Sequence, residues 1–173
     1  KNALKRGDPT TIGPTQDAAD LEMMLERAVE ESGWRSTPKD KNHGFGMGCA
    51  FWTSGGMPGS NSVKLNEDGS VSVMTGSVDV TGTHTVLAQI VAEEMGLGVN
   101  RVQVTTGDTD SAPVAPISAG SNIARSMGYT VKKATEALRQ QIVETAADAL
   151  EANVNDLDMK DGRVFVKGSP ERG

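Results

Sequence analysis

Apolar residues recur along the chain with two different periods, and the switches between them outline a fold. Leu21, Met24, Leu25, Ala28 and Val29 fall at helical spacing while Glu22, Glu26, Glu30 and Glu31 face away. That pattern predicts an amphipathic helix opening at Asp17 and stopping near Gly33. Residues 1–16 are rich in Gly, Pro and Thr, carry no period and read as an extended lead-in. Residues 17–173 are then expected to form a single domain. From Gly44 the pattern changes to strands, in 44–53 (GFGMGCAFWT), 62–66 (SVKLN) and 70–80 (SVSVMTGSVDV). Val63/Leu65 and Val71/Val73 alternate with polar neighbours around Glu67-Asp68-Gly69-Ser70, a hairpin turn signal because Asp-Gly tolerates positive φ.

A second helix is predicted from Thr83 to Met95, with Val86, Leu87, Ile90, Val91 and Met95 on one face and Gly96-Leu97-Gly98 closing it. Val102 and Val104 mark another strand. A Pro-containing loop (APVAPISAG) leads to the longest helical pattern: Ile123, Met127, Val131, Ala134, Leu138, Ile142, Ala146 and Leu150. At about 1.5 Å per residue this helix approaches ~40 Å, enough to brace a sheet. Lys160-Asp161-Gly162-Arg163 marks a second hairpin. The order α, several β, α, β, α, β predicts an α+β fold, a mixed or antiparallel sheet with hairpins packed against two or three helices.

Composition narrows the function classes. A net charge of −6 with a pI near 4.9 argues against nucleic-acid binding through phosphate neutralisation. No run of about 18 apolar residues is present, so no membrane-spanning helix is expected. One cysteine, Cys49, cannot form an internal disulfide, which fits a reducing compartment. His43, His84 and Cys49 offer no zinc spacing, and Asp108-x-Asp110 lacks the rest of a calcium loop. No metal ligands and no catalytic residues are assigned. Gly44, Gly46 and Gly48 form a G-x-G-x-G without a following helix, which reads as a strand passing close to another backbone.

Two places remain. Thr81-Gly82-Thr83-His84-Thr85 and Ala119-Gly120-Ser121-Asn122 each put a glycine and hydroxyl groups where a helix begins and its first N–H groups lack intrahelical partners. That arrangement suits an anion or phosphate; alternatively, Thr83 and Ser121 are ordinary N-caps with glycine beside them for clearance.

The segments KNALKRGDPTTIGPT, GFGMGCA, DGSVSVMTGSVDVTGTHTVLAQIVAEEMGLG and VQVTTGDTDSAPVAPISAGSNIARSMGYTVKKATEAL, in this order, resemble one continuous stretch of the xanthine dehydrogenase/aldehyde oxidase family. The resemblance is to the molybdenum-binding large subunit of its bacterial carbon-monoxide-dehydrogenase-like branch. It implies an internal portion of a molybdenum hydroxylase that binds a molybdopterin cofactor, often the cytosine dinucleotide form. The parent would hydroxylate or dehydrogenate a small aldehyde, N-heterocycle or CO-like substrate. It also implies partners: the remainder of the molybdenum subunit, iron–sulfur and FAD subunits or domains, with homo-oligomerisation left open. The expected location is cytoplasmic, with the periplasm an alternative. Carried over by position, Thr81, Gly82, Thr83 and His84 form one cofactor wall and Gly120, Ser121 and Asn122 the other. The first loop reads T-G-T where the family usually has G-Q-G, and Asn122 stands where Arg is common. The family's substrate-side loop and catalytic Glu fall outside the 173 residues, so the chain alone is expected to be inactive and to retain no cofactor. The alternative is a stand-alone binding or interaction module that keeps the fold without catalysis.

Overall fold

The computed structural model describes residues 3–10, 15, 20–37, 40–50, 52, 55–169, 171 and 173. Its contacts form two compact units, Lys1–Ala50 and Phe51–Gly173. In the first unit, helix α1 spans Leu21–Glu31, and Asp20 caps it by accepting the Met23 N–H at 3.0 Å. The expected start at Asp17 lies outside the described residues. Despite its amphipathic pattern, α1 has no buried residue, and Gly33 follows it at φ +64°. Trp34 and Phe45 form a tilted ring pair with centroids 5.8 Å apart.

The expected strand at 44–53 is not formed among its described residues. Gly44, Gly46 and Gly48 are exposed, and among the described residues a Cβ on any of them would meet no atom within 4 Å. Among the described residues the close backbone approach expected there is not made. Without a paired neighbour among the described residues, the local pattern does not make a strand.

The second unit holds a three-stranded sheet. Strand β1 (Asn61–Leu65) pairs antiparallel with β2 (Val71–Thr75), and β2 pairs parallel with β3 (Val102–Thr106). Helix α2 (Thr83–Met95) makes the crossover that a parallel pair requires. The expected turn joins β1 to β2: Gly69 has φ +78°, and Asp68 accepts the Ser70 O–H at 2.6 Å and N–H at 2.9 Å. These Ser70 bonds, helped by the nearby Arg101 charge, hold the Asp68 carboxyl below its ordinary value of 3.8. A lowered folded pKa means that the turn's stabilisation is complete above the ordinary value and is lost as pH falls through the lowered one. NMR titration should place Asp68 below 3.8; a midpoint at or above that value would contradict the geometry.

Helix α3 (Asn122–Leu150) has 29 residues and runs about 43 Å. Val71 and Val73 from β2, Leu87, Val91 and Met95 from α2, and Met127 and Val131 from α3 form the main core. The far end of α3 buries Val143 and Ala147 against Leu157 in a second cluster. Leu157 begins β4 (Leu157–Lys160), paired antiparallel with β5 (Arg163–Val166) through a two-residue turn. Asp161 and Gly162 both have positive φ there, as a type I′ turn requires.

The predicted stripe on α3 is partly displaced. Met127 and Val131 are buried, Leu138 and Ile142 only half-buried, and Thr135, Val143 and Ala147 lie deeper than the pattern suggests. The helix faces α2 and β1 along one part and the β4–β5 hairpin along another, so no single stripe serves both. Thr135 tolerates complete burial because its hydroxyl donates to Val131 O at 2.8 Å. On α2, Val86 is 38% exposed where the helical pattern places it inside.

Candidate functional site

The loop from β2 to α2 is fixed at its base and open at its tip. Thr75 and Ser77 are buried with their hydroxyls 3.0 Å apart, whereas Val80 is 83% exposed. The chain then turns through Gly82 at φ +84°, a conformation costly for a residue with a Cβ. Gly82 is the N-cap of α2 and supplies no side-chain cap; Thr83, considered as that cap, is already the first helical residue. The His84 N–H donates to the Asp79 carboxylate at 3.4 Å.

The loop from β3 to α3 is seated by close packing at glycines. A Cβ on Gly76 would collide with Pro113 O, and one on Gly107 would lie 2.9 Å from Ala112 Cβ. A Cβ on Gly59 would lie 2.8 Å from Met127 Sδ and 3.1 Å from Pro116 Cδ. The Ser60 N–H donates to Val114 O at 2.8 Å, tying the loop to the approach of β1. Asp108 accepts from Asp110 N–H, Ser111 N–H and the Ser111 hydroxyl, which together lower its pKa, the hydroxyl most. The D-x-D is thus a self-contained turn. Among the described residues, no group of three or more His, Cys, Asp or Glu could hold a metal ion, and no helix is long and apolar enough to cross a membrane.

At the end of this second loop Gly120 and Ser121 have φ +59° and +53°, so α3 also begins from left-handed backbone. Ser121 makes no capping bond with its own helix; its Oγ accepts the Trp52 indole N–H at 3.0 Å. The Gly55 N–H donates to Gly120 O at 3.2 Å. Thr83 is thus not the N-cap of α2, and Ser121 holds the N-cap position of α3 without a side-chain capping bond.

Both helix starts open onto one groove of about 620 Å³, lined by Trp52, Thr81, Gly82, Thr83, Val86 and the run Ser118–Ala124. Six of the seven residues expected at a site, Thr81, Gly82, Thr83, Gly120, Ser121 and Asn122, are brought together there. His84 is not among the lining residues: its Nε2 lies 2.9 Å from Thr106 Oγ1 and its Nδ1 3.7 Å from the Asp79 carboxylate. None of the described lining residues carries a charge, so the field is set by two helix N-termini and by hydroxyl and amide groups. Asn122 is 2% exposed, and its side-chain Oδ1 lacks a hydrogen-bond partner. A Cβ on Gly82 or Gly120 would project into open space. Sequence reading missed Trp52 and Val86 as groove residues. Trp52 comes from a stretch read as strand, although an exposed Trp near glycines is itself a binding signal. A second groove, of about 680 Å³, lies between the C-terminal end of α2, mid-α3 and the β4–β5 hairpin, and it is strongly charged (Glu93, Glu94, Glu136, Arg139, Lys167).

Comparison with known proteins gives this geometry a context. The xanthine dehydrogenase molybdenum-binding subunit of Escherichia coli O157:H7 is 26% identical over 99% of this chain and 25% of its own length. The 6-hydroxypseudooxynicotine dehydrogenase complex subunit gamma of Paenarthrobacter nicotinovorans is 32% identical over 90% of the chain and 21% of its own length. The carbon monoxide dehydrogenase large chain of Afipia carboxidovorans is 26% identical over 93% of the chain and 23% of its own length. The chain thus spans about a quarter of the length of these curated relatives. The crystal structure of a Cu,Mo-CO dehydrogenase in its carbon monoxide reduced state superposes with a TM-score of 0.61 at 30% identity, over 67% of this chain and 15% of that one. The quinoline 2-oxidoreductase of Pseudomonas putida 86 shares the fold with a TM-score of 0.69 at 21% identity, over 96% of this chain and 24% of that one. A family model described as the molybdopterin cofactor-binding domain matches residues 19–173. The chain belongs to that family: it is a molybdopterin cofactor-binding domain of the kind found in xanthine dehydrogenase- and carbon monoxide dehydrogenase-like molybdenum enzymes.

Proposed function

We propose that the groove between the starts of α2 and α3 is the surface with which this domain holds the polar, anionic part of molybdopterin. The observation that carries the reading is the convergence of two helix starts, neither with a side-chain cap of its own, on an uncharged groove that the buried Asn122 helps to line. These residues fit such a group. The open space over Gly82 and Gly120 lets a ligand approach the backbone, and helix N-termini favour negative charge. The absence of lining Asp, Glu, Lys and Arg speaks for a large polar organic anion over a bare metal ion.

Thr81, Gly82 and Thr83 form one wall, Gly120, Ser121 and Asn122 the other, and Trp52 stands at the mouth with its indole anchored on Ser121. When bound, the cofactor supplies molybdenum redox chemistry, by which oxygen from water is introduced into a small substrate. The chain's own contribution is to orient and enclose. A cytosine dinucleotide extension would add phosphate groups, the chemistry that helix starts accept. The parent acts on an aldehyde, an N-heterocycle or a CO-like molecule, in keeping with the xanthine and carbon monoxide dehydrogenases among its relatives. It passes electrons to iron–sulfur and FAD partners in the cytoplasm. Exposed Val80, Val114 and Ile117 near the two loops are apolar surface suited to cover by the remainder of the molybdenum subunit.

Molybdenum content per subunit of the loaded enzyme tests the reading. Asn122→Ala removes a buried acceptor that the fold does not satisfy, so the unfolding midpoint should change little while molybdenum content falls severalfold. Unchanged metal content would refute the groove. A fall in content that merely tracks a large loss of stability would assign Asn122 to the fold instead.

A further inference from the structure

His84 stands at the same helix start as Thr83 yet faces the other way, and its contacts define a connected path. Its Nε2 lies 2.9 Å from Thr106 Oγ1, at the end of β3. The Thr106 hydroxyl donates to Ser77 O at 3.0 Å, at the base of the β2–α2 loop. A carbonyl only accepts, so the single hydroxyl proton of Thr106 is committed to Ser77, and Thr106 meets His84 as an acceptor. His84 therefore donates from Nε2–H. Ser77 is buried and bonded to Thr75, and Thr75 O accepts the Gly107 N–H at 3.2 Å. On the helix side, the His84 N–H reaches back to Asp79 at 3.4 Å.

The loop between these anchors has little else to hold it. Val78 and Val80 are 53% and 83% exposed, and Gly82 has no atom within 4 Å of a built Cβ. Hydrophobic packing does not fix its path, so hydrogen bonds at its two ends must.

We propose that His84 is a positioning residue: through Thr106 it clasps the start of α2 to the ends of β2 and β3 and so sets the path of Thr81-Gly82-Thr83 along the groove. It touches no groove ligand itself. This inference deepens the proposed function and rests on it for its consequence, whereas the clasp stands on the hydrogen-bond path alone.

Hydrogen exchange of the loop amides, measured on this chain, separates the two. Loss of one such bond should speed exchange at residues 80–84 about three- to tenfold in His84→Ala, with the unfolding midpoint close to that of the parent sequence. His84→Gln, whose side-chain amide can still donate to Thr106, should restore most of the protection. Thr106→Val should loosen the same amides, and the His84→Ala/Thr106→Val pair should loosen them no further than Thr106→Val alone, since that change already cuts the link to His84. Unchanged exchange in His84→Ala, failure of Gln to rescue, or simple additivity in the double variant would overturn the clasp. A second readout is molybdenum content in the enzyme carrying this domain, expected to fall in His84→Ala and recover in His84→Gln. Loop loosening with full molybdenum content would leave the clasp standing and overturn the groove as the cofactor surface.

Discussion

Gly76→Ala should destabilise the second unit by about 1–3 kcal/mol and displace residues 113–116. The added Cβ would collide with Pro113 O and lie 3.2 Å from Ala115 Cβ. The atom in the way is backbone, which no side-chain rotation can clear. The obstructed segment leads directly to Gly120 and Ser121, and Val114 O also accepts the Ser60 N–H, so the strain passes to the groove's second wall. Chemical denaturation would give the stability, and the Trp52 indole resonance would report the groove, because its N–H is bonded to Ser121. A variant with unchanged stability and an unmoved indole signal would show that the β3–α3 loop is not seated by this close approach.

Leu87→Ala should cost more, about 2–5 kcal/mol. Leu87 is completely buried on α2, in the core that joins β2, α2 and α3. Truncation removes apolar contacts on all sides and leaves a cavity that neither helix can close without moving. Leu138→Ala on α3 should cost less, because Leu138 is only half-buried against the same core. A thermal or urea series on the two variants would check the ranking. An equal or reversed order would mean that α2 is not the central support of the groove.

The parts of the fold legible in the sequence are those encoded over a few residues. Asp68-Gly69 and Asp161-Gly162 announce their turns because positive φ is expensive for most other residues. The α2 bounds follow from an apolar period closed by Gly96, which adopts φ +61° as the helix ends. The two helix starts were legible because glycine and hydroxyl residues cluster where a helical period begins. Convergence of both starts on one groove depends on α2 crossing between parallel strands and α3 lying against it, a tertiary fact that no short window contains.

What stayed hidden has the same cause. Gly44, Gly46 and Gly48 look like close-contact glycines yet meet nothing, whereas Gly59, Gly76 and Gly107, in unremarkable contexts, leave no room for a side chain. Glycine composition cannot distinguish them, because the neighbour that fills the space is distant in sequence. Thr135 breaks an apolar stripe but is fully buried, since a hydroxyl satisfied within its own helix behaves like a methyl group toward its surroundings. The contact of the His84 side chain with the hydroxyl of Thr106, 22 residues away, is likewise not contained in any short window.

If the two helix starts together hold the cofactor, the structure of the loaded enzyme carrying this domain shows it most directly. Cofactor oxygens are expected within hydrogen-bonding distance, about 2.7–3.2 Å, of backbone N–H groups in the first turns of both α2 and α3. A cofactor seated instead at the charged groove beside Glu93 and Arg139, or touching neither helix start, would contradict it.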